Sequence, residues 1–237
     1  FSKHAKTYDR RAFLQKNMAE TLASLIPEKN INNILEIGCG TGLFTRHLIA
    51  LSPKHITLND ISSAMMDCLT TQIDLPETVK TLIGDAEKIE FPKADLIAAN
   101  AVFQWFNNPE KTLNKLYHLQ PLNGQIVFSV FGPETLIELR NTASIQSASK
   151  LISLNEWEKI LMNAGYKVTK GHNEIRKIFF PSSGALLKNL QQTGASPISQ
   201  LNAGSMKKLL RDYDSTYSTS QGIYSTWELC YISAQKN

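Results

Sequence analysis

A glycine-rich turn that directly follows a buried strand constrains the fold of this chain more than any other feature of its sequence. Residues 34–37 form an apolar run that predicts a strand, and the turn after it contains Gly38, Gly40 and Gly42. Apolar residues at helical spacing come next. Glycine lets the backbone turn sharply and lets a ligand approach the N-terminus of the following helix. The segment therefore predicts a strand, a ligand-binding turn and a helix in succession.

Alternation of strand and helix continues beyond this turn. Further strands are predicted over residues 55–59, 78–83, 94–99 and 125–131, and helices over residues 12–26 and 109–119 and around Met65 to Ile73. Strand and helix units of this length form a parallel sheet that is covered by helices on both faces. The expected fold class is therefore α/β.

The pattern changes after residue 131. Helices are predicted over residues 133–145, 184–190 and 206–213 and after a capping box at Ser153 and Glu156, and strands over residues 174–180 and 226–233. The sheet does not need the two helices between the last strands, and long insertions in compact domains are usually functional or disordered. We therefore interpret this excursion as a cap over the site.

Acidic residues end two of the predicted strands. Asp60 lies about 20 residues beyond the glycine turn, where a carboxylate can accept hydrogen bonds from both hydroxyls of a ribose. Asp85 ends the third strand and is placed to contact the edge of a base. Each has a structural alternative, since Asp60 could cap the next helix and Asp85 could stabilise the turn beside Gly84. Ligands of open parallel sheets bind at the carboxyl edge, so the strand ends together predict a nucleoside site.

Composition excludes several classes of protein. Hydrophobic residues make up 42% of the 237 residues and charged ones 19%, which fits a globular chain, and no apolar run is long enough to span a bilayer. The net charge of +4 is too small to imply nucleic acid. Three dispersed cysteines and a polar, basic opening segment favour reduced thiols in the cytoplasm. The cysteines and histidines show no metal-ligand spacing, so we expect no metal site.

Four strings resemble the successive motifs of class I S-adenosylmethionine-dependent methyltransferases: LEIGCGTG, LND, GDAE and ANAVFQW. The resemblance implies a Rossmann-like, mostly parallel seven-stranded sheet and the cofactor S-adenosylmethionine, with S-adenosylhomocysteine as its product. It assigns the methionine and ribose parts to the glycine turn, the ribose hydroxyls to Asp60, and the adenine to Asp85 and Ala86. It places Asn100 near the methionine amino group or the sulfonium. The residues that it places at the cofactor are Gly38, Gly40, Gly42, Asp60, Asp85, Ala86 and Asn100.

The flanking sequences are similar to the malonyl-acyl-carrier-protein O-methyltransferase family, whose enzymes start pimeloyl synthesis for biotin. The similarity rests on FSKHAKTYD, LLKNLQQTGA and IYSTWELCYISAQK and covers nearly the whole chain. It implies methyl transfer to the free carboxylate of a malonyl thioester on acyl carrier protein. We expect one methyltransferase domain over residues 1–237, with an N-terminal lid segment and helix over 1–26, a cofactor-binding core over 31–131 and a helical cap insertion over 182–217.

Methylating a malonyl carboxylate makes modest chemical demands, because the carboxylate is already ionised near pH 7 and needs no general base. The protein must align the reacting atoms, exclude water and hold the carboxylate with a cation. Arg140, one helix beyond the fifth strand, is the first candidate for this catalytic role, although it could equally pair with Glu134 or Glu138 on a solvated helix face. Tyr8 and Gln15 could orient the cofactor or the carboxylate, or could simply pack.

Positive charge is concentrated in one segment. Residues 166–211 contain eight basic residues against Glu174 alone, a local balance of 8 − 1 = +7. This segment overlaps the predicted cap, and a local positive field would attract an acidic carrier protein. We therefore expect malonyl-acyl carrier protein to dock there, although a solvated surface without a partner remains the alternative.

Other functions stay open at this point. A methyltransferase of the same fold could act on another small carboxylate, on a phenol or on a quinone precursor, and motifs for the cofactor do not separate these substrates. A catalytically silent methyltransferase-like binding module is a further alternative, although it would be expected to have degraded cofactor motifs. A nicotinamide-dependent oxidoreductase is disfavoured, because the third glycine is displaced by one residue from the dinucleotide pattern.

Overall fold

The computed structural model contains one sheet with parallel and antiparallel strands. It describes residues 8–27, 31–143, 151–193 and 202–237. Its strands are β1 Asn33–Ile37, β2 His55–Asp60, β3 Val79–Ile83, β4 Leu96–Asn100, β5 Gln125–Phe131, β6 Tyr166–Phe180, β7 Ser218–Thr219 and β8 Gly222–Lys236. The order across the sheet is β3-β2-β1-β4-β5-β8-β6, and β7 pairs with β8. The first five strands are mutually parallel, whereas β8 runs antiparallel to both β5 and β6. The expected α/β class and mostly parallel seven-stranded order are confirmed, with the two-residue β7 as an addition.

Helices cover both faces of this sheet. They are α1 Phe13–Ala23, α2 Thr45–Ile49, α3 Ser63–Gln72, α4 Pro109–Leu119, α5 Ile137–Ala143, α6 Leu154–Asn163, α7 Ser183–Gln192 and α8 Ala203–Tyr217, with a 3₁₀ turn at Phe103–Trp105. Apolar residues of α1, α3, α7 and α8 pack in a core on one face, and residues of α4 and α6 pack in a second core on the other. The central parallel strands β1, β4 and β5 are almost wholly buried, which explains their largely apolar sequences.

The N-terminal helix shows how sequence spacing produces this packing. Leu14, Met18 and Leu22 recur every four residues, so they lie on one face of α1, and all three are buried against the sheet. Burying one such side chain stabilises the fold by roughly 1.5–3 kcal/mol before entropic costs. The predicted helix over residues 12–26 is present, but it ends at Ala23.

The last two long strands extend well beyond their predicted bounds. Residues 174–180 and 226–233 were expected as strands, but β6 begins at Tyr166 and β8 spans Gly222–Lys236. The early part of β6 lies at the sheet edge with mostly exposed side chains. An edge strand of this kind needs no apolar run, so hydrophobic patterning does not mark it.

The helix expected over residues 133–145 begins at Ile137 instead. Leu136 has a φ of +57°, which is incompatible with a continuous α-helix, and its N–H donates to the carbonyl oxygen of Thr226 on β8 at 2.7 Å. The preceding residues 133–135 therefore form a loop held by β8. Residues 144 and 145 lie outside the described residues.

Helices α7 and α8 lie between β6 and β8 in the chain, at the position expected for the cap. Leu186, Leu190, Leu209 and Tyr213 bury their side chains in the core on the α1 face. In the parts of the chain that the structure describes, no helix combines the length and the apolar character needed to cross a bilayer.

Candidate active site

An open cleft lies at the carboxyl ends of β1, β2, β3 and β4. It encloses about 930 Å³, a volume that includes open solvent at its mouth. The predicted site residues that line it are Tyr8, Gly38, Gly40, Asp60, Asp85, Ala86 and Asn100. Gln15, Gly42 and Arg140 do not line it. The structure thus brings together residues from four strand ends and the N-terminal segment.

The three glycines of the turn meet different surroundings. All have positive φ, and a Cβ on Gly38 would lie 2.4 Å from a methyl carbon of Val102. A Cβ on Gly42 would lie 2.3 Å from Ile73, so both of these positions are closed by packing within the protein. A Cβ on Gly40 would meet no atom within 4 Å. Because Gly40 lines the cleft, the space beside it is available to a ligand that approaches the backbone closely.

Asp60 joins the end of β2 to the glycine turn. Its Oδ2 accepts a hydrogen bond from the Gly40 N–H at 2.9 Å, and its Oδ1 accepts one from the Ser62 N–H at 2.8 Å. Burial raises the pKa of the Asp60 carboxyl, and these two N–H groups oppose that rise. The capping alternative for Asp60 does not hold, because the Ser62 hydroxyl accepts the N–H of Met65 at the start of α3. The carboxylate retains lone pairs that these two hydrogen bonds do not use, and Asp60 lines the cleft.

Glu36 lies beneath the same turn and is almost fully buried. The Thr45 hydroxyl donates to its Oε2 at 2.7 Å. Burial raises the pKa of Glu36 from 4.5 to about 8, with the Thr45 hydrogen bond opposing the rise and Asp60 adding to it. Around neutral pH this carboxyl is therefore protonated in the folded protein.

This shift predicts a pH-dependent stability. Between pH 4.5 and pH 8 the folded state binds more protons at Glu36 than the unfolded state, so the free energy of unfolding falls as the pH rises through this window. In Glu36→Gln, which keeps an acceptor for Thr45, the fall between pH 5 and pH 8 should be smaller by about 3 kcal/mol. Urea unfolding of the wild type and of Glu36→Gln at both pH values measures this difference. An equal fall in the free energy of unfolding of the two proteins would contradict the raised pKa of Glu36.

Asp85 and Ala86 follow β3 at one end of the cleft. Asp85 forms an ion pair with Lys88 at 2.9 Å and accepts the N–H of Glu87 at 3.0 Å. The Lys88 hydrogen bond, followed by that of Glu87, lowers the pKa of the Asp85 carboxyl. Asp85 therefore stabilises its own turn, as the structural alternative expected, while it also lines the cleft. Ala86 is buried and contributes a small apolar surface beside it.

Asn100 connects the end of β4 to the N-terminal helix. Its Oδ1 accepts from the Ser129 hydroxyl at 2.6 Å, and its Nδ2 donates to the backbone carbonyl of Gln15 at 2.9 Å. Gln15 thus meets the site region through its backbone, and a role for its side chain stays a prediction. The next residue, Ala101, has a φ of +57° and also lines the cleft.

The segment before α1 lies against the glycine turn. Tyr8 is half-buried and lines the cleft. Burial raises the pKa of the Tyr8 hydroxyl, and the nearby negative charges of Asp9 and Asp60 raise it further, so this phenol stays protonated. The Asp9 carboxylate accepts a hydrogen bond from the Thr41 hydroxyl, which fixes the segment to the turn.

Arg140 is half-buried on α5, apart from the residues above. Its Nη2 donates to the carbonyl oxygen of Pro133, and its Nε is buried without a hydrogen-bond partner in the described residues. The expected alternative partner Glu138 instead accepts the N–H of Thr226 at 2.9 Å. The ion pairs found among the described residues include none to Arg140. A role for Arg140 stays a prediction.

Aromatic residues form one wall of the cleft, and the sequence resemblance assigns none of them to the cofactor. Trp105 and Phe106 line it, whereas Phe103 is buried in the core against Phe128. Their place directly after β4, at the carboxyl edge, is the sequence signal that could have indicated them.

The charged side chains among the described residues that line the cleft are all acidic. Asp60, Asp85 and Glu87 line it, and its lining includes no Lys, Arg or His among the residues that the structure describes. A cationic ligand is therefore favoured over an anionic one. Over the same residues, no group of three or more His, Cys, Asp and Glu side chains could bind a metal ion. The acidic and aromatic lining of this cleft suits a cationic ligand that carries a flat aromatic group.

Comparisons with known proteins agree with this description. Residues 35–128 match a family described as a methyltransferase domain. Malonyl-[acyl-carrier protein] O-methyltransferase 2 of Ilyobacter polytropus is 33% identical, covering 100% of this chain and 96% of its own length. Malonyl-[acyl-carrier protein] O-methyltransferase of Paenibacillus sp. strain JDR-2 is 31% identical, covering 97% and 94%. The structure of an S-adenosylmethionine-dependent methyltransferase from Mesorhizobium loti shares the fold, with a TM-score of 0.59 at 14% identity over 94% of this chain and 100% of that one.

Proposed function

This chain belongs to the malonyl-[acyl-carrier protein] O-methyltransferase family, and from that premise we propose that it methylates the free carboxylate of a malonyl thioester on acyl carrier protein. The methyl donor is S-adenosylmethionine, and the product is the methyl ester that biotin synthesis uses. The observation that carries the proposal is the acidic cleft at four strand ends, with the open space beside Gly40. The methyl ester hides a charge, so enzymes with apolar pockets can accept the product.

The described residues fit the cofactor. The Gly40 backbone leaves room for close approach, Asp60 has lone pairs left for two ribose hydroxyls, and Asp85 with Ala86 lies at the far end for the adenine. When bound, S-adenosylmethionine supplies an electrophilic methyl group on a positively charged sulfonium. The negative charge of Asp60 and of the other lining carboxylates favours such a cation.

The substrate side needs alignment rather than acid–base chemistry. The malonyl carboxylate is ionised near neutral pH, so the protein has to hold it without a proton transfer. We place this role on Arg140, because its buried Nε–H has no hydrogen-bond partner among the described residues, which is costly, and a carboxylate would satisfy it. Tyr8 stays protonated in the cleft and can donate a hydrogen bond there.

Arg140→Ala should raise the KM for the malonyl substrate by about 10- to 100-fold, because one charge-assisted contact is lost. The dissociation constant for S-adenosylhomocysteine should stay within about twofold, since Arg140 does not line the cleft. Arg140→Lys keeps the charge but not the planar fork, so its KM for the malonyl substrate should lie between those of the wild type and Arg140→Ala. Initial rates and calorimetry measure these quantities; an unaltered KM would assign the carboxylate contact to another residue.

Docking of acyl carrier protein on the basic segment 166–211 is the finer part of the proposal. The basic residues of this segment lie in two different parts of the structure. Lys167 pairs with Gln235, which pairs with Gln125 at the start of β5, and this edge is opposite the cleft. The exposed side chains Lys207, Lys208 and Arg211 lie on α8. We define these three as the α8 basic face and propose it as the docking surface for the acidic carrier.

Replacing Lys207, Lys208 and Arg211 with alanine should raise the KM for malonyl-acyl carrier protein about tenfold and leave that for malonyl-coenzyme A unchanged. The matched control replaces Lys167 and Lys170, which lie toward the other edge of the sheet, and should have no effect. Added salt should weaken carrier use more than cofactor binding. Equal effects of the two sets of substitutions would remove the α8 basic face from the proposal.

Labelled S-adenosylmethionine tests the function itself. The protein is incubated with malonyl-acyl carrier protein, malonyl-coenzyme A, free malonate and a phenolic quinone precursor. Label on the malonyl thioesters supports the proposal. Label on the phenol alone would transfer the function to the alternative class, and binding of the cofactor without any transfer would indicate a silent module.

All three cysteines are unpaired in the fold, and with the carrier-bound substrate this leads us to place the protein in the cytoplasm.

A further inference from the structure

Trp105 and Phe106 together form what we call the aromatic wall of the cleft. Trp105 ends the short 3₁₀ turn that follows β4, and 47% of its surface is exposed. The Phe106 ring packs on Phe103, with 5.0 Å between ring centroids, and Phe103 is buried in the core. The wall is therefore anchored on its inner side, whereas its outer side continues into the loop that leads to α4.

The Glu87 carboxylate accepts hydrogen bonds from the loop on that outer side. Glu87 accepts hydrogen bonds from the Asn107 N–H at 3.0 Å and from the Asn107 side-chain amide at 2.9 Å. It also accepts the N–H of Asn108 at 2.8 Å. Burial opposes ionisation of Glu87, but the hydrogen bonds from both asparagines outweigh it, and the pKa of the carboxyl lies below its ordinary value. Glu87 is thus a charged acceptor with three donors converging on it.

The two segments that Glu87 joins are the two sides of one end of the cleft. Glu87 follows Asp85 and Ala86 after β3, and Asn107 follows Phe106 after β4. Without Glu87, the N–H groups of Asn107 and Asn108 would have to bond to water, and the conformational freedom that this loop gained would be lost again when a flat ligand binds beside it.

We propose that Glu87 is a positioning residue, which holds the aromatic wall in place for the nucleoside end of the cofactor through Asn107 and Asn108. The proposal rests on the proposed function, because it takes the ligand of the cleft to be S-adenosylmethionine or its product. Because the wall is already ordered in the free protein, less conformational entropy is lost when the cofactor binds. Glu87 therefore determines the affinity for the cofactor rather than the rate of methyl transfer.

The position of the wall can be measured without any ligand. Trp157 and Trp227 are buried, so acrylamide quenching of tryptophan fluorescence reports mainly on Trp105, and Trp105→Phe gives the background. In the cofactor-free protein, Glu87→Ala should raise the quenching constant by about twofold or more. Glu87→Gln, which keeps one acceptor oxygen, should raise it less. Glu90→Ala is the matched control, because its side chain is 88% exposed and it should leave quenching unchanged.

Cofactor affinity is measured on the same variants by calorimetry with S-adenosylhomocysteine and with adenosine. Glu87→Ala should weaken both about tenfold while kcat at saturating S-adenosylmethionine stays within about twofold. Asn107→Ala removes one of the three hydrogen bonds without changing charge, and it should also weaken binding of both ligands. This variant tests the proposal if Glu87→Ala fails to fold. Unchanged quenching in both Glu87→Ala and Asn107→Ala would overturn the proposal, whereas wild-type protein that binds neither ligand would contradict the proposed function instead.

Discussion

Asp60→Ala is expected to weaken the binding of S-adenosylmethionine on the order of 100-fold. Two losses combine in this variant. The ribose hydroxyls lose a charged acceptor, and the Gly40 N–H loses the carboxylate that holds the glycine turn in place. A hydrogen bond to a charged group contributes roughly 1.5–3 kcal/mol, so losing two or more of them gives an effect of this size.

Calorimetry with S-adenosylhomocysteine and with S-adenosylmethionine measures this loss, and thermal unfolding of the cofactor-free protein is recorded beside it. Asp85→Ala is the comparison, because Asp85 is paired with Lys88 and its removal should weaken binding by only about fivefold. Asp60→Ala protein that folds and binds both ligands with the affinity of the wild type would remove Asp60 from the site.

Gly40→Ala should abolish measurable methyl transfer while leaving the protein folded. The added methyl group would meet no protein atom within 4 Å, so it occupies space in the cleft that the ligand needs. The positive φ of +56° makes alanine strained there by roughly 1–2 kcal/mol, which lowers stability only moderately. Affinity for the cofactor should fall on the order of 100-fold.

Gly38→Ala separates this effect from general damage to the turn. Its Cβ would lie 2.4 Å from a Val102 methyl carbon, so the backbone or Val102 must move and the free energy of unfolding should fall by several kcal/mol. Urea unfolding and calorimetry on the two variants measure the contrast. If Gly40→Ala bound the cofactor as tightly as the wild type, the space beside Gly40 would not be the cofactor site.

The features that sequence predicts well are those with a local physical cause. The glycine turn, the acidic end of β2 and the amphipathic α1 each follow from residues close together in the chain. Ser62 caps α3 in the structure, which leaves the Asp60 carboxylate for another role. These predictions need only backbone geometry, side-chain spacing and the rule that parallel strands present ligands at one edge.

Features set by distant contacts could not be predicted in the same way. The neighbours of Gly42 are on α3, so its surroundings depend on how that helix packs. The start of α5 is fixed by Thr226 on β8, which bonds Leu136 from a distant part of the sequence. Glu87 meets Asn107 only because β3 and β4 bring their following loops together. Composition of an edge strand such as β6 likewise carries no strong apolar signal.

Intact-mass spectrometry of malonyl-acyl carrier protein tests the central claim most directly. The carrier is incubated with the wild-type protein and S-adenosylmethionine, with acetyl-acyl carrier protein, which has no free carboxylate, as the control. We predict that the malonyl form gains the mass of one methyl group in place of hydrogen, that esterase treatment removes it, and that the acetyl form is unchanged. A malonyl-acyl carrier protein of unaltered mass, from a protein that binds S-adenosylmethionine, would contradict the account.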